Sequence, residues 1–469
     1  MILQLSRMMR YQIIILLFLA TGALKAELRK DGASIHKDTL SISGYPESTF
    51  GIFIPAVSEN AEIRAVIYLF GDSQSQKPLI NEYKNLAQEF SMVLVYIHPN
   101  LSETGIHEKF KSINTQLSNW IPGAHPDIYT AGQGNSASIA FQVAIKNTKV
   151  RGMIGVNLLE DTVEEIKNEF RRDLDFVGLA GVHSSSYYFN EDLKKYFTTY
   201  RLKYKGLIYD GSRDWPDSDN FWETLDWLKF VSAREHPKSN VKYLANRFQS
   251  DFGAAILSEK KQTVQSYHDY REILIDYDKF FNTDAVVSRL EVLDKSKKHQ
   301  QKFKEAEKFK NMEANRRRKY EWTIKQYRVM TLDTSFQKSL KWWESELDEL
   351  TRMASSRNVY KSNLGHRLLD YLSRATERSC DEYISKMDYY TALKMNEIWI
   401  YIHPDASKGY YNRAKLYARQ YQLEETLAFL ERAYELGLSS VDLSEEDSFT
   451  FLNGNFRYHQ ILHGVNSRK

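Results

Sequence analysis

A stretch of small and hydroxyl-bearing residues, Gly132-Gln-Gly-Asn-Ser136-Ala-Ser138, has the composition of a turn that could present a nucleophile. It follows a β-rich run, 128–131, and leads into an apolar helical pattern through Ala144. A strand, a tight turn between small residues and a helix together expose an attacking side chain at the centre of the turn. The central residue here is Gly134, which has no side chain. The pattern therefore predicts the scaffold for a nucleophile without the nucleophile.

Two hydroxyl groups lie just beyond this turn and are the alternative nucleophiles. Ser136 and Ser138 fall in the first turn of the predicted helix. That position points their side chains away from the centre of the turn, and we expect them to pack against the helix or to cap it.

Two further stretches contain scaffold residues that would flank the other positions of such a site. They are Gly181-Val-His-Ser-Ser-Ser-Tyr187 and Tyr209-Asp-Gly-Ser-Arg-Asp-Trp-Pro216. Together with the small-residue turn, and in this order, they resemble secreted α/β-hydrolases of the esterase and carboxylesterase-like kind. The resemblance covers residues 46–235, about two-fifths of the chain.

The resemblance implies a position for each member of a catalytic triad: Gly134 for the nucleophile, Ser184 for the acid and Arg213 for the histidine. Triad catalysis needs a hydroxyl group activated by an imidazole that a carboxylate orients. A glycine cannot attack, an arginine stays protonated, and a serine cannot stabilise an imidazolium. We therefore expect a degenerate site and no enzymatic activity. If the chain were active, the resemblance implies an ester hydrolase using a non-standard site.

Other residues near these positions are candidates for binding a ligand. His183 is either a surrogate base or an ordinary loop histidine, and Asp214 either pairs with Arg213 or leaves it to hold a small anion. The resemblance implies a His-Gly oxyanion loop after the second predicted strand, where this chain has Gly71 and Asp72. The full set of pocket candidates is Gly71, Asp72, Gln133, Asn135, His183, Arg213, Asp214 and Trp215.

The elements that must position these residues alternate between strand and helix. Continuous apolar runs predict strands at 49–55, 64–70, 91–98, 150–157, 176–182 and 206–210, besides the run before the turn. Helical patterns lie between several of them. Such a series predicts a mostly parallel sheet covered by helices, with any ligand at the carboxyl ends of the strands. The predicted fold class is α/β, of the α/β-hydrolase-like kind, followed by an all-α domain.

Beyond His236-Pro237 the β patterns stop, and proline is nearly absent until Pro404. Both features indicate long helices. The segment 290–325 is rich in Lys, Arg and Glu and is interpreted as a solvent-exposed helix face with i,i+4 ion pairs rather than a surface for lipid or nucleic acid. The high tyrosine content, 30 residues, is interpreted as packing between helices.

A repeat of 34 residues marks the end of the chain. Cys380, Tyr383 and Ala392 recur as Ala414, Tyr417 and Thr426, which lie 34 positions later. A helix-turn-helix period of this length resembles the tetratricopeptide repeat, in which small residues let paired helices approach closely. Arrays of such repeats bind other proteins, so the resemblance implies a protein partner.

The N-terminus has the order of a secretory signal peptide. Arg7 and Arg10 precede an apolar run, 13–20, and small residues follow, with cleavage expected after Ala23 or Ala26. We expect an exported protein, periplasmic or secreted, with no membrane span after cleavage. The net charge of +3 gives no reason to expect nucleic acid as a partner, and the single cysteine excludes an intrachain disulfide.

The predicted organisation has five parts. They are a signal peptide at 1–26, an N-terminal extension at 27–45, an α/β-hydrolase-like domain at 46–235, a helical region at 236–372, and repeats with a terminal cap at 373–469. No phosphate-binding loop or Cys/His cluster is visible, and neither a cofactor nor a metal is expected. The sequence thus predicts an exported pseudo-hydrolase that acts as a binding module.

Overall fold

The structure is a computed structural model, and it describes residues 35–56, 63–71, 78–97, 105–121, 126–212, 214–260, 263–327, 334–438 and 447–467. The predicted signal peptide and the site candidates Asp72 and Arg213 lie outside these residues. The chain divides into two compact units, 1–250 and 251–469, and each is described by itself.

The first unit is built on one sheet of eight strands. The strands are β1 Ile35–Ile42, β2 Tyr45–Ile54, β3 Ala65–Phe70, β4 Met92–Ile97, β5 Asp127–Gln133, β6 Val150–Val156, β7 Asp175–Gly181 and β8 Tyr204–Tyr209. Their order across the sheet is β1-β2-β4-β3-β5-β6-β7-β8. β2 pairs antiparallel with β1 and β4, and all other neighbours are parallel.

Helices connect the parallel strands, and one more helix follows β8. They are α1 Pro78–Glu89, α2 Ile106–Trp120, α3 Asn135–Lys146, α4 Glu160–Glu169, α5 Tyr187–Thr199 and α6 Ser218–Glu235. The central strands are buried throughout, as in β4 and β7, because helices cover them. Phe176 of β7 and Phe197 of α5 stack with ring centroids 5.2 Å apart in this core.

This architecture confirms the predicted fold class: an α/β-hydrolase-like, mostly parallel sheet flanked by helices, followed by a large helical region. The sheet is wider than predicted, since β1 lies within the stretch expected to be an N-terminal extension. Helices α1 and α4 were not predicted either.

The second part of the chain is helical. Its helices are α7 Pro237–Glu259, α8 Thr263–Tyr277, α9 Asp284–Lys295, α10 Lys297–Gln326, α11 Thr334–Ala354, α12 Val359–Ser385, α13 Tyr389–Ile402, α14 Ser407–Ala418, α15 Leu423–Glu435 and α16 Phe456–Ser467, with a 3₁₀ helix at Asp447–Leu452. Tyrosines are a large share of its packing, as predicted: the side chains of Tyr270, Tyr277, Tyr320 and Tyr327 are at most 1% exposed. In the part of the chain that the structure describes, no helix is both long and apolar enough to cross a bilayer.

The basic segment, 290–325, is not exposed to solvent throughout, contrary to its interpretation as a solvent-exposed helix face. Glu313 of α10 is only 1% exposed and accepts hydrogen bonds from Arg317, at 2.6 Å, and from Arg367 of α12, at 2.7 Å. Arg316 pairs with Glu346 of α11 at 3.0 Å. The predicted i,i+4 pair between Glu313 and Arg317 is present. Part of this face is nevertheless buried, where carboxylates of α11 compensate Arg316 and an arginine of α12 compensates Glu313.

The two predicted repeat units share one turn geometry. The second helix of each unit begins at Tyr389 or Leu423, a separation of 423 − 389 = 34 residues. Two residues before each of these helices begins, a non-glycine residue has a positive φ: Met387 at 59° and Tyr421 at 56°. In both turns, the backbone amide of the residue that follows donates to the carbonyl five residues earlier in the chain, at 2.9 Å and 3.1 Å. This is the left-handed helix ending of the Schellman type, and it occurs in both turns.

Candidate functional site

The tight turn between β5 and α3 has the geometry that presents a nucleophile. Gly134 stands at the N-terminus of α3 with φ 53° and ψ −120°, a backbone conformation that residues with a β-carbon rarely adopt. Its amide donates to the carbonyl of Val156 at the end of β6, 3.0 Å away. The strained strand-to-helix turn predicted from the sequence is therefore present.

The side chain that this geometry would present is missing. A β-carbon built on Gly134 would meet no heavy atom of the described residues within 4 Å. Among the described residues no side chain fills this position, although its positive φ disfavours any residue with a β-carbon. It offers no atom that could attack a substrate.

The two serines beyond the turn make different contacts. Ser138 donates its hydroxyl hydrogen to Glu165 of α4, with an Oγ–Oε2 distance of 2.6 Å, and Gln142 donates to the same carboxylate at 3.4 Å. Ser136 is 8% exposed and belongs to the packed first turn of α3. The contact of Ser138 is thus with a carboxylate on a neighbouring helix.

The loop after β7 holds Ser184 at the position that the resemblance gives to the acid. Ser184 is fully buried, and its Oγ accepts a hydrogen bond from the amide of Ser186 at 3.2 Å. Its own amide donates to the carbonyl of Gly181 at 2.9 Å. The hydroxyl group of Ser184 therefore stabilises the turn that starts α5.

The neighbouring His183 is half-buried. Its amide donates to the carbonyl of Gly211 at 2.9 Å, which ties the loop after β7 to the loop after β8. A β-carbon at Gly181 would stand 2.5 Å from the same carbonyl oxygen, so the close approach of these loops requires a glycine there.

The loop after β8 contains Asp214, which is exposed, and Trp215, which is half-buried. The carbonyl of Asp214 accepts hydrogen bonds from the Tyr209 hydroxyl and from Asn157. The indole Nε1 of Trp215 is buried, and no acceptor for it is present among the residues that the structure describes. The predicted pair between Asp214 and Arg213 involves a residue outside the described set.

The remaining pocket candidates surround the turn or the end of β3. Gly71 directly follows β3 and is buried, whereas Asn135 is exposed and Gln133 is half-buried. The carbonyl of Pro216, beyond β8, accepts a 2.5 Å hydrogen bond from Tyr83 of α1. Burial raises the pKa of Tyr83, so its hydroxyl group remains a donor and holds this loop in place.

Asn157 links these elements, and the sequence did not single it out. It is fully buried, with φ 47°, and directly follows β6. Its Oδ1 accepts from the amide of Gly181 at 3.0 Å, and its Nδ2 donates to the Tyr209 hydroxyl at 2.5 Å. One amide side chain therefore joins the carboxyl ends of β6, β7 and β8. The only sequence signal is an isolated amide after an apolar strand.

The carboxyl edge thus brings together two of the three triad positions that the resemblance implies. The backbone amide of Gly134 donates to the end of β6. The backbone amide of Asn157 donates to the carbonyl of Leu179 in β7 at 2.8 Å, and that of Val182 donates to the carbonyl of Tyr209 in β8 at 2.8 Å. The nucleophile position holds a glycine, and the acid position holds a buried serine whose hydroxyl group accepts a hydrogen bond from a backbone amide. Neither of these two side chains can act as a general base, and Gly134 offers no attacking atom.

Within the described ranges, no three His, Cys, Asp or Glu side chains are placed to hold a metal ion together.

Comparison with solved structures gives α/β-hydrolase esterases as neighbours of the N-terminal part of the chain. An S-formylglutathione hydrolase from Staphylococcus aureus is 12% identical, covers 42% of this chain and 97% of its own, and superposes with a TM-score of 0.33. Esterase B from Lactobacillus rhamnosis is 15% identical, with coverages of 51% and 99% and a TM-score of 0.34. A feruloyl esterase module from Clostridium thermocellum is 9% identical, with coverages of 42% and 88% and a TM-score of 0.33. No protein-family model and no curated protein matches the sequence.

Proposed function

We propose that this chain is an exported, non-catalytic pseudo-hydrolase whose helical half binds another protein through tetratricopeptide-like repeats. The single observation that carries the proposal is Gly134: it has the φ and ψ of a strained turn that presents a nucleophile, and it has no side chain. Glycine adopts this conformation without steric cost, so the turn offers the backbone geometry that would present a nucleophile and no atom that could attack.

The neighbouring positions support the loss of catalysis. Ser184, at the implied acid position, is buried and its Oγ accepts from a backbone amide. The implied histidine position is Arg213 in the sequence, and a guanidinium does not act as a base near neutral pH. Substitution of all three triad positions leaves no path for the proton that an ester hydrolase must move.

The alternative function is an active esterase that uses a non-standard site. Its nucleophile would have to be Ser136 or Ser138. The Oγ of Ser138 lies 2.6 Å from a carboxylate oxygen of Glu165, which is the specific contact that could favour this alternative. A serine paired with a carboxylate alone lacks the imidazole that carries the proton to the leaving group, and we therefore prefer the binding function.

The helical half supplies a positive reason for a binding function. The shared turn geometry at Met387 and Tyr421 fits two stacked helix-turn-helix units, and Ala414 is fully buried where a small residue is required for close helix packing. Stacked units of this kind form extended concave surfaces that bind proteins. Neither nucleic acid nor a cofactor has a role in this proposal.

A second, weaker binding activity is proposed at the carboxyl edge of the sheet. Arg213 could hold a small anion there, since a guanidinium pairs with two oxygens at once. Loss of carboxylate binding in Arg213→Ala, with unchanged unfolding, would support this site.

The catalytic half of the proposal is tested with a fluorophosphonate probe, which labels activated serines covalently. The full-length mature chain should remain unlabelled, while a serine esterase in the same tube is labelled completely. Stoichiometric label on the chain that disappears in Ser136→Ala or Ser138→Ala would establish the alternative function instead.

The binding half is tested by capture of partners from an envelope extract. Ala414→Trp inserts a large ring into the buried contact between α14 and α15, whereas Arg419→Trp adds the same ring at an exposed position. A specific partner should be captured by the unmodified chain and by Arg419→Trp but not by Ala414→Trp. Equal capture by all three would contradict binding through the repeats.

A further inference from the structure

One side of the long helix α10, Lys297–Gln326, presents a row of exposed residues that includes no acidic side chain. The residues of the row are separated alternately by four and three positions, a spacing that keeps them on one face of a helix. At about 1.5 Å per residue, the row is roughly 42 Å long. Its members, called the basic row below, are Lys297, Gln301, Lys304, Lys308, Asn311, Asn315, Arg318, Trp322 and Lys325.

The five cations of the basic row have no ion-pair partners. None of them has a carboxylate oxygen within 4 Å in the part of the chain that the structure describes. Lys304 and Lys308 are also four residues apart, a spacing at which like charges destabilise a helix. The packed side of the same helix differs, since Arg316 there pairs with Glu346 at 3.0 Å. The helix therefore compensates its buried charges and leaves the charges of the basic row facing solvent.

The acidic residues of α10 are mostly engaged away from the basic row. Glu305 pairs with Lys302 at 3.0 Å, and Glu313 is buried. Glu321 accepts a hydrogen bond from a tyrosine of α12 at 2.8 Å. Glu307 is exposed at the edge of the row, three residues after one of its lysines. One carboxylate beside five cations leaves this face of the helix strongly positive.

An exposed tryptophan lies near one end of the basic row. Trp322 is 65% exposed, which places most of a large aromatic ring in water. Tryptophan is enriched at the headgroup level of membranes, where an amphipathic ring has both an apolar and a polar environment. The three amide side chains of the row can donate hydrogen bonds to phosphate and ester oxygens. The row thus combines the residue types that suit an anionic lipid surface.

We propose that the basic row binds the surface of a membrane that contains anionic lipids. A flat bilayer meets a straight row along its whole length, so all five cations lie near headgroup phosphates at once. A nucleic-acid duplex turns once in about 34 Å and cannot follow a straight row of this length. An exposed indole also gains little from the phosphates of a duplex. The inference goes beyond the proposed function, because it involves neither the repeats nor the hydrolase turn.

The inference is tested by sedimentation of the full mature chain with lipid vesicles. The vesicles are phosphatidylcholine alone, or equal parts of phosphatidylcholine and phosphatidylglycerol. The chain should sediment with the anionic vesicles at low salt and remain in solution with the neutral ones. Salt at about 1 M should release it, since the Debye length then falls to about 3 Å. Failure to bind the anionic vesicles, or equal binding to both kinds, would overturn the inference.

Two triple variants that remove the same charge separate the basic row from net charge. Lys304, Lys308 and Lys325 are changed to Gln in one, and the exposed Lys149, Lys195 and Lys279 are changed to Gln in the other. The first should weaken binding to anionic vesicles about a hundredfold, at roughly fivefold for each lysine near the surface. The second should bind as the unmodified chain does, and both should unfold at its temperature. Equal affinities of the two triple variants would overturn the inference.

Other polyanions distinguish a lipid surface from a macromolecular partner. Duplex DNA and poly-glutamate are titrated against the full chain at the same low salt, and both should bind more weakly than the anionic vesicles. If either of them binds as tightly as the vesicles, the assignment to lipid is overturned.

The position of Trp322 gives a readout that charge alone does not provide. Brominated phosphatidylcholine in the anionic vesicles should quench part of the tryptophan fluorescence of the bound chain, and Trp322→Phe should abolish this quenching. Undiminished quenching in bound Trp322→Phe would contradict the placement of the basic row against the bilayer.

Discussion

Gly132 and Ser136 approach each other so closely that a β-carbon at Gly132 would stand 2.4 Å from the carbonyl oxygen of Ser136. The same β-carbon would lie 2.7 Å from the α-carbon of Ala137. These are backbone atoms at the start of α3, which cannot move aside without displacing the helix. The turn is thus closed by a glycine at a contact distance that no other residue tolerates, although the turn presents no nucleophile.

This contact predicts the effect of Gly132→Ala. The added methyl group should destabilise the first unit by about 1–3 kcal/mol, the usual effect of overpacking a rigid contact. The measurement is unfolding of the full chain in urea. It is monitored with a probe that reports on the first unit alone, such as proteolysis of its sheet. Gly253→Ala is a control in the second unit: a β-carbon at Gly253 meets nothing within 4 Å of the described residues, and the unfolding of the first unit should not change. Equal stability of the two variants would show that the turn is not closed as described.

The amino ends of the strands contain an ion network that predicts a second effect. Arg151 lies 3.1 Å from Asp175, 3.3 Å from Asp127 and 3.0 Å from Glu235. Asp175 is fully buried, and Lys203 is its other partner at 3.1 Å. Arg151→Met should destabilise the first unit by about 2–3 kcal/mol, because it leaves a buried carboxylate with one counter-ion.

The control for this network is an exposed pair. Lys167 and Glu164 are 2.9 Å apart on the surface of α4, where ion pairs contribute little. Lys167→Met should change the free energy of unfolding by less than about 0.5 kcal/mol. If Lys167→Met and Arg151→Met lowered the free energy of unfolding by similar amounts, the burial of Asp175 would not be the reason that the network stabilises the first unit.

Much of the fold was predictable, because it depends on local patterns. Continuous apolar runs identified six of the parallel strands, and small residues identified the turn at Gly134. β1 escaped prediction because polar residues interrupt it, as in Ile35-His-Lys-Asp-Thr. The turns before α13 and α15 also carry no glycine signal, since Met387 and Tyr421 adopt positive φ without being the residue type expected there.

Sequence motifs locate positions of the candidate site, but they do not reveal the side chain that links its strands. The resemblance located Gly134 and Ser184 by sequence motif. Asn157 could not be found that way, since its partners Gly181 and Tyr209 are 24 and 52 residues away. Whether an isolated amide is exposed or links three strands depends on tertiary packing, which a local pattern does not contain.

A third prediction concerns the repeat units. Ala414 is fully buried in the contact between α14 and α15, so Ala414→Trp should destabilise the helical unit by about 1–3 kcal/mol. Limited proteolysis of the C-terminal region and thermal unfolding are the measurements, with Arg419→Trp as the exposed counterpart. Unchanged protease resistance in Ala414→Trp would contradict close packing of this helix pair.

A fourth prediction concerns Cys380, the single cysteine of the chain. Burial raises the pKa of its thiol to about 12 from an ordinary value of 9.0. At pH 8 the reactive thiolate should therefore be about a thousandfold less abundant than in the unfolded chain, following three pKa units. Alkylation by iodoacetamide should be slow in native protein and fast in urea. Comparable rates in both states would contradict the burial of Cys380.

The central claim is that the first unit keeps the geometry of a hydrolase turn without its reaction. The direct test is turnover of short and medium p-nitrophenyl acyl esters by repurified mature protein. We predict no hydrolysis above the rate of buffer alone, and the same result for Ser136→Ala and Ser138→Ala. Turnover that persists through repurification and disappears in Ser136→Ala would contradict the claim.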